Sequence, residues 1–321
     1  YGEVNGDNAL LMLKKSYKKY GDKIWKNFNI MRSVFMNENI HYVLDSVSAI
    51  QETDLMNDPR IHVVRLVVRH GSEEWYDGEK SLEEMVAMIE KSGVLPSTSQ
   101  PPLGELIELL TDLSKQGKKV IFVTLSSGLS GTYQTACMAA KQVMSEVKGA
   151  DIRVIDGKTA AAPLIGMVQA IMAKADAGCT DMDELERYGN DVVARTATFF
   201  SVENLKYLQK GGRIGKASAF IGGILGIRPI LIMDKDGKVG VVDKCRSRKK
   251  VLKRMVELAA AEAPIEAIYV SDALCDEDAI AEEKQLMEIF PGVPTLRTSI
   301  GTVLTAHLGP GVVGVFVRRK A

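Results

Sequence analysis

Metal-ligand spacing, paired cysteines and an excess of basic charge are all missing from this 321-residue chain. The four cysteines, Cys137, Cys179, Cys245 and Cys275, stand far apart with no C-x-x-C pair, and a chain this long folds without disulfides. Reduced thiols and a cytoplasmic home are therefore the expectation, although the chain opens at Tyr1 rather than Met. The four histidines, His41, His62, His70 and His307, share no metal-ligand spacing and no H-E-x-x-H occurs, so no metal is expected. Lys plus Arg and Asp plus Glu both number 41, which leaves no net charge to attract a nucleic acid, and aromatics at 6% are too sparse for a stacking platform. The most apolar stretch, residues 217–233, is interrupted by glycines and by Arg228-Pro229, so stable membrane insertion is not expected.

With 46% hydrophobic and 26% charged residues the chain has material for a sizeable core, and its length suits two domains. Residues 1–38 read as a helical N-terminal extension, with Asp7 as a cap, a lysine-rich face and Gly21 as a stop. From residue 39 strands alternate with helices: strand-like runs at 42–44, 61–68, 120–125 and 152–155, and helical patterns at 81–91, 101–116, 133–147 and 160–175. That alternation predicts an α/β fold with a largely parallel sheet. The second half repeats it, with strands at 197–202, 229–233, 239–242, 267–271, 295–299 and 312–317, and helices at 203–210, 248–261 and 276–290. Asp234-Lys235-Asp236-Gly237 is a hairpin turn signal. The expected division is 1–38 for the extension, 39–197 for an N-terminal α/β domain and 198–321 for a C-terminal one.

The sharpest local feature is Ser126-Ser127-Gly128-Leu129-Ser130-Gly131-Thr132-Tyr133, set between an apolar strand and a helix. Free N–H groups at the helix start, glycines that admit a close backbone approach and neutral hydroxyl donors suit an anion; a Ser/Thr-capped turn is the plainer alternative. The loop is neither a Walker A motif nor a G-x-S-x-G elbow. Pro96-Ser97-Thr98-Ser99-Gln100-Pro101 reads as a capping loop before the next helix. His307, beside Gly309-Pro310-Gly311, is either structural or projects into a cleft. Gly211-Gly212-Arg213-Ile214 suggests a tight loop, and the run Arg246-Ser247-Arg248-Lys249-Lys250 opens a helix with charges that oppose its dipole, which suits partner contact.

Taken in order, Asp45-Ser46, Pro96 to Pro101, Ser126 to Tyr133, Gly211 to Ile214, Ile227-Arg228-Pro229 and His307 to Gly311 resemble the DegV family of bacterial fatty-acid-binding proteins, over residues 39–321. The resemblance implies two α/β domains of the DegV and dihydroxyacetone-kinase-like kind, with a long-chain fatty acid in an apolar tunnel. It implies that Thr98, Ser130 and His307 hold the carboxylate, with Ser99, Ser127, Gly128, Gly131, Asp45 and Ser46 as further candidates for the shell around it. It also implies a non-catalytic carrier that presents the acid to a separate ATP-binding kinase subunit for acyl-phosphate formation, with Arg213 and Arg246 at the partner contact and no cofactor. Two departures stand out: Pro-Ser-Thr-Ser replaces the commoner Pro-Thr-Thr-Ser, and Leu44-Asp45-Ser46 replaces Thr-Asp-Ser. Neither removes a head-group hydroxyl. Two other readings remain: a serine hydrolase, with Ser130 or Ser127 as nucleophile and His307 as base, and a phosphate-compound binder with a polar pocket.

Overall fold

The computed structural model describes residues 37–220 and 227–321. The expected N-terminal helices and the end of the 211–226 glycine-rich stretch lie outside the described residues.

Strands β1 (Ile40–Asp45), β2 (Ile61–Val64), β6 (Lys119–Thr124) and β7 (Ile152–Asp156) form a four-stranded sheet of order β2-β1-β6-β7. Every pairing in it is parallel, as the βα alternation predicts. Its central strands β1 and β6 are buried along nearly their whole length, which explains their near-continuous apolar runs. Helices α2 (Leu103–Lys115) and α3 (Thr132–Glu146) supply apolar residues to a core on one face, and α4 (Pro163–Asp176) and α5 (Met182–Ala194) cover the other with a cluster that reaches the second sheet.

The predicted strand over 61–68 is two strands. After β2 the chain turns at Arg65-Leu66 into β3 (Val67–His70), which with β4 (Glu73–Tyr76) and β5 (Ser97–Ser99) makes a small antiparallel sheet of order β4-β3-β5. The Pro96 to Pro101 segment is thus an edge strand rather than a capping loop. Helix α1 (Leu82–Ser92) lies between β4 and β5 and begins with a capping box in which Ser81 and Glu84 exchange hydrogen bonds.

The second sheet departs from the expected parallel pattern. Its order is β10-β9-β8-β13-β11-β12, built from β8 (Thr196–Ser201), β9 (Arg228–Met233), β10 (Val239–Cys245), β11 (Ile265–Asp272), β12 (Thr295–Ser299) and β13 (Val313–Arg319). Only β11 and β12 pair in parallel. Two causes act: the 234–237 turn folds β9 and β10 into a hairpin, and the final strand inserts antiparallel between β8 and β11. Helices α6 (Lys206–Lys210), α7 (Arg248–Ala260), α8 (Asp276–Ile289) and α9 (Thr302–Leu308) complete this half. One buried cluster joins the halves, from Tyr42 and Leu125 to Phe200, Leu231 and Phe316. Among the described residues no helix is long and apolar enough to cross a membrane.

Candidate functional site

In the parallel sheet the chain builds outward to opposite sides from β1 and β6, so their carboxyl ends flank a crevice of the kind where open α/β sheets bind ligands. Asp45 ends β1, and its Oδ2 accepts a hydrogen bond from Leu125 N across that crevice at 2.6 Å. Burial pushes the Asp45 carboxyl up to about 7, against the pull of the Leu125 and Val47 N–H donors, and the neighbouring Asp77 adds to the rise. The crevice leads to a cleft between the halves with about 830 Å³ of empty space, counted together with the solvent at its opening.

Most of that cavity is hydrocarbon. Leu66, Leu125 and Leu129 contribute from the first half, with Ala160 and Ala161 from the loop before α4. One face of the mixed sheet forms a second wall through Phe200, Met233, Val239, Gly314 and Phe316, and α9 adds Val303 and Leu304. Of the small apolar residues ahead of and within α4, Ala162, Leu164, Ile165 and Met167 are buried in the core rather than in this lining.

The polar groups on the lining include Thr98, Ser130, His307 and Arg213. Thr98 sits at the middle of β5, paired with Val68 of β3. Side chains alternate along a strand, so Thr98 turns inward while Ser97 and Ser99 face solvent. The Thr98 hydroxyl and His307 Nε2 are 2.7 Å apart, a bond between residues 209 positions apart that joins the small sheet to the last turn of α9. Ser130 ends the turn before α3; its hydroxyl lies 3.0 Å from that of Thr132 and accepts Thr132 N at 3.3 Å. Arg213 is held at the mouth, donating from Nε to Leu129 O at 3.0 Å and from a terminal nitrogen to Gly211 O at 2.6 Å.

His307 is neutral near pH 7. Burial lowers its pKa to about 4, and the Arg213 charge adds to the effect. Its buried Nδ1 has no hydrogen-bond partner among the described residues. Gly211 makes room for it, because a Cβ there would lie 2.3 Å from that nitrogen. Gly309, at φ +77°, lets the chain turn past the Tyr207 ring, which a Cβ would meet at 2.7 Å.

The other predicted shell residues sit elsewhere. Ser127 is absent from the lining, and its N–H donates to Asp156 Oδ1 at 3.0 Å. Gly128 serves the join between the halves: a Cβ there would lie 2.3 Å from Gly237 O. Gly131 is packed by Gln100, whose amide donates to Thr135 at 2.7 Å. Asp45 and Ser46 lie behind the lining, and Ser46 donates to Asp77 Oδ2 at 2.9 Å. Ser99 is exposed on the far face of β5. Arg246 is exposed in the turn between β10 and α7, outside the lining.

Two features of the site were not foreseen from sequence. Asp77, buried after β4, accepts Thr302 Oγ1 at 2.9 Å and Val303 N at 3.2 Å, which ties the start of α9 to the first half. Thr159, Thr198 and Ser271 add further hydroxyls to a mainly apolar lining. Sequence offers no signal for either, since both depend on residues far apart in the chain. Among the described residues no group of three or more His, Cys, Asp or Glu side chains is placed to hold a metal ion.

The family model described as an uncharacterised protein of the DegV family matches residues 39–320. Protein DegV of Bacillus subtilis is 34% identical over 288 residues, covering 86% of this chain and 98% of that protein. The solved structure of DegV, a fatty acid binding protein from Bacillus subtilis, superposes with a TM-score of 0.77 at 29% identity, covering 87% of this chain and 99% of that one. A fatty acid binding DegV family protein from Streptococcus agalactiae gives a TM-score of 0.78 at 26% identity, covering 88% and 99%.

Proposed function

The chain belongs to the DegV family, and on that premise we propose that it binds one long-chain fatty acid, tail in the cavity between the halves and carboxylate at the Thr98, Ser130 and His307 end. The observation that carries the reading is the cavity's asymmetry. Phe200, Phe316, Met233 and several leucines line its length, while Thr98, Ser130, His307 and Arg213 come from four separate segments to its lining. The description of the related Bacillus subtilis and Streptococcus agalactiae proteins as fatty acid binding supports the same ligand class.

The physical chemistry is consistent. At about 0.8 kcal/mol per buried CH₂, a tail of roughly fourteen methylenes gains on the order of 10 kcal/mol before the loss of ligand freedom is subtracted. A carboxylate leaving water needs hydrogen bonds, which the Thr98 and Ser130 hydroxyls supply without a bidentate cation clamp, His307 Nε2–H donating to the Thr98 oxygen so that the Thr98 proton is left for the ligand. The head group then stays available as a nucleophile. In the finer form of the proposal, the chain is a carrier that presents this carboxylate to a separate ATP-binding subunit, and the exposed Arg213 and Arg246 face that partner.

The geometry gives less support to the alternatives. A hydrolase needs His307 on a serine and a carboxylate on its other nitrogen, whereas Nε2 is bonded to Thr98 and Nδ1 has no partner among the described residues. A phosphate compound needs a polar pocket, and this one is mainly hydrocarbon.

The test is binding of palmitate and oleate to wild type and to Thr98→Ala combined with Ser130→Ala. Loss of two head-group hydrogen bonds is expected to weaken affinity at least tenfold, on the order of 2 kcal/mol. Undiminished affinity in the folded double variant would overturn the head-group assignment.

A further inference from the structure

Away from the head-group residues, the cavity carries three hydroxyls that a plain hydrocarbon tail has no use for. Thr159, Thr198 and Ser271 all line it, at 3%, 6% and 2% exposure. The Thr159 and Thr198 hydroxyls are 2.9 Å apart, one from each half of the molecule. The Ser271 hydroxyl is 3.1 Å from that of Thr298 on the neighbouring strand.

Each pair holds two O–H protons, and only one can be used between the partners. Among the described residues no other protein group accepts the second proton; Thr298 also borders an open polar cleft with Glu52, Asp272 and Arg297, so the sealed station is Thr159–Thr198. A buried donor left without an acceptor costs free energy, and an alkyl chain provides none. The two stations share one face of the mixed sheet. Thr198 is opposite Phe316, which is opposite Tyr269, two residues before Ser271. Strand spacing and rise place the Thr198 and Ser271 backbones about 12 Å apart, along the same wall that carries Phe200 and Phe316.

We propose that this wall is a polar subsite for an oxygenated acyl chain, and that the preferred ligand is a long-chain fatty acid with a hydroxyl on its chain. The inference rests on the fatty-acid reading and deepens it. A ligand hydroxyl accepts the spare proton of a station and donates to a free lone pair there. A second carboxylate does not suit the wall, because Arg213 and His307, the ionisable residues of the lining, belong to the head-group cluster. The oxygen recognised within the chain is therefore neutral.

The experiment measures the affinities of stearate and of 3-, 10- and 12-hydroxystearate for wild type, Thr198→Val, Thr159→Val and Ser271→Ala. For at least one positional isomer, wild type is expected to favour the hydroxylated acid over stearate by about fivefold, the worth of one hydrogen bond. That ratio is expected to fall to near one in the variant whose hydroxyl is removed, with cooperative melting of each variant as the folding control. Equal affinity of wild type for stearate and all three hydroxystearates would overturn the proposal while leaving the fatty-acid reading intact. So would a preference that survives all three substitutions. Failure of wild type to bind stearate or any hydroxystearate would overturn both.

Discussion

Burial keeps the His307 imidazole neutral in the folded chain near pH 7. Its folded-state pKa of about 4 lies below the ordinary 6.5, so protonation in that window acts against the folded, empty site, and the cost grows as pH falls from about 6.5 towards 4. A carboxylate bound at Thr98 and Ser130 favours the charged imidazole and raises that value. NMR titration of the His307 ring should find a midpoint near 4 without ligand and a higher one with fatty acid bound. A midpoint near 6.5 in the empty protein would contradict the burial argument. Glu282 is the corresponding acidic case. It is wholly buried on α8, neither carboxylate oxygen has a partner among the described residues, and burial, with Asp278 adding, raises its pKa well above the ordinary value against the opposing pull of Arg248. The fold therefore holds a proton that the unfolded chain releases, and stability falls as pH rises above the unfolded value. Glu282→Met should stabilise the protein by about 1–3 kcal/mol at pH 8 and by less at pH 4, read from chemical denaturation. A variant destabilised at both pH values would show that the carboxyl has a favourable partner.

At the level of elements, α9 matters most, because its last turn carries His307 and its first turn rests on Asp77. Asp77→Ala leaves the buried Ser46 and Thr302 hydroxyls and the Val303 N–H without their acceptor. The expected loss is about 2–4 kcal/mol, with ligand affinity falling alongside, and Asp77→Asn should recover part of both. Equal behaviour of the two variants would mean that the hydrogen bonds do not position the helix. The elements also mark the limits of what could be read from sequence. β6, β7 and α3 are legible, because an apolar run, a turn rich in glycine and serine and a helical pattern in succession have few other interpretations. β5 was not, because Ser-Thr-Ser has no apolar period and becomes a strand only by pairing with β3. Helix α5 is hard to read from sequence because Gly189 interrupts its apolar stripe of Met182, Leu185 and Val192; a Cβ there would lie 2.6 Å from the Ile155 side chain. The mixed order of the second sheet depends on where the last strand inserts, and no local pattern encodes that.

For the whole molecule, the site exists because the halves interlock. Ser126 Oγ donates to Gly237 O at 2.6 Å, Thr159 meets Thr198, Arg318 donates to Gly166 O at 2.8 Å, and Glu52 accepts Ser299 N at 2.8 Å. Thr98, Ser130 and His307 were legible as motif residues in the sequence, but their shared cavity is a product of this join, as is the displacement of Ser127 and Asp45 to structural posts. The central claim is that the joined halves enclose a fatty acid, and native mass spectrometry of the purified protein, followed by denaturing extraction and fatty-acid analysis, tests it most directly. The account predicts an excess mass that resolves into one long-chain fatty acid per chain, and reloading of delipidated protein by added oleate. A clean apo mass that does not change when oleate is added would contradict it.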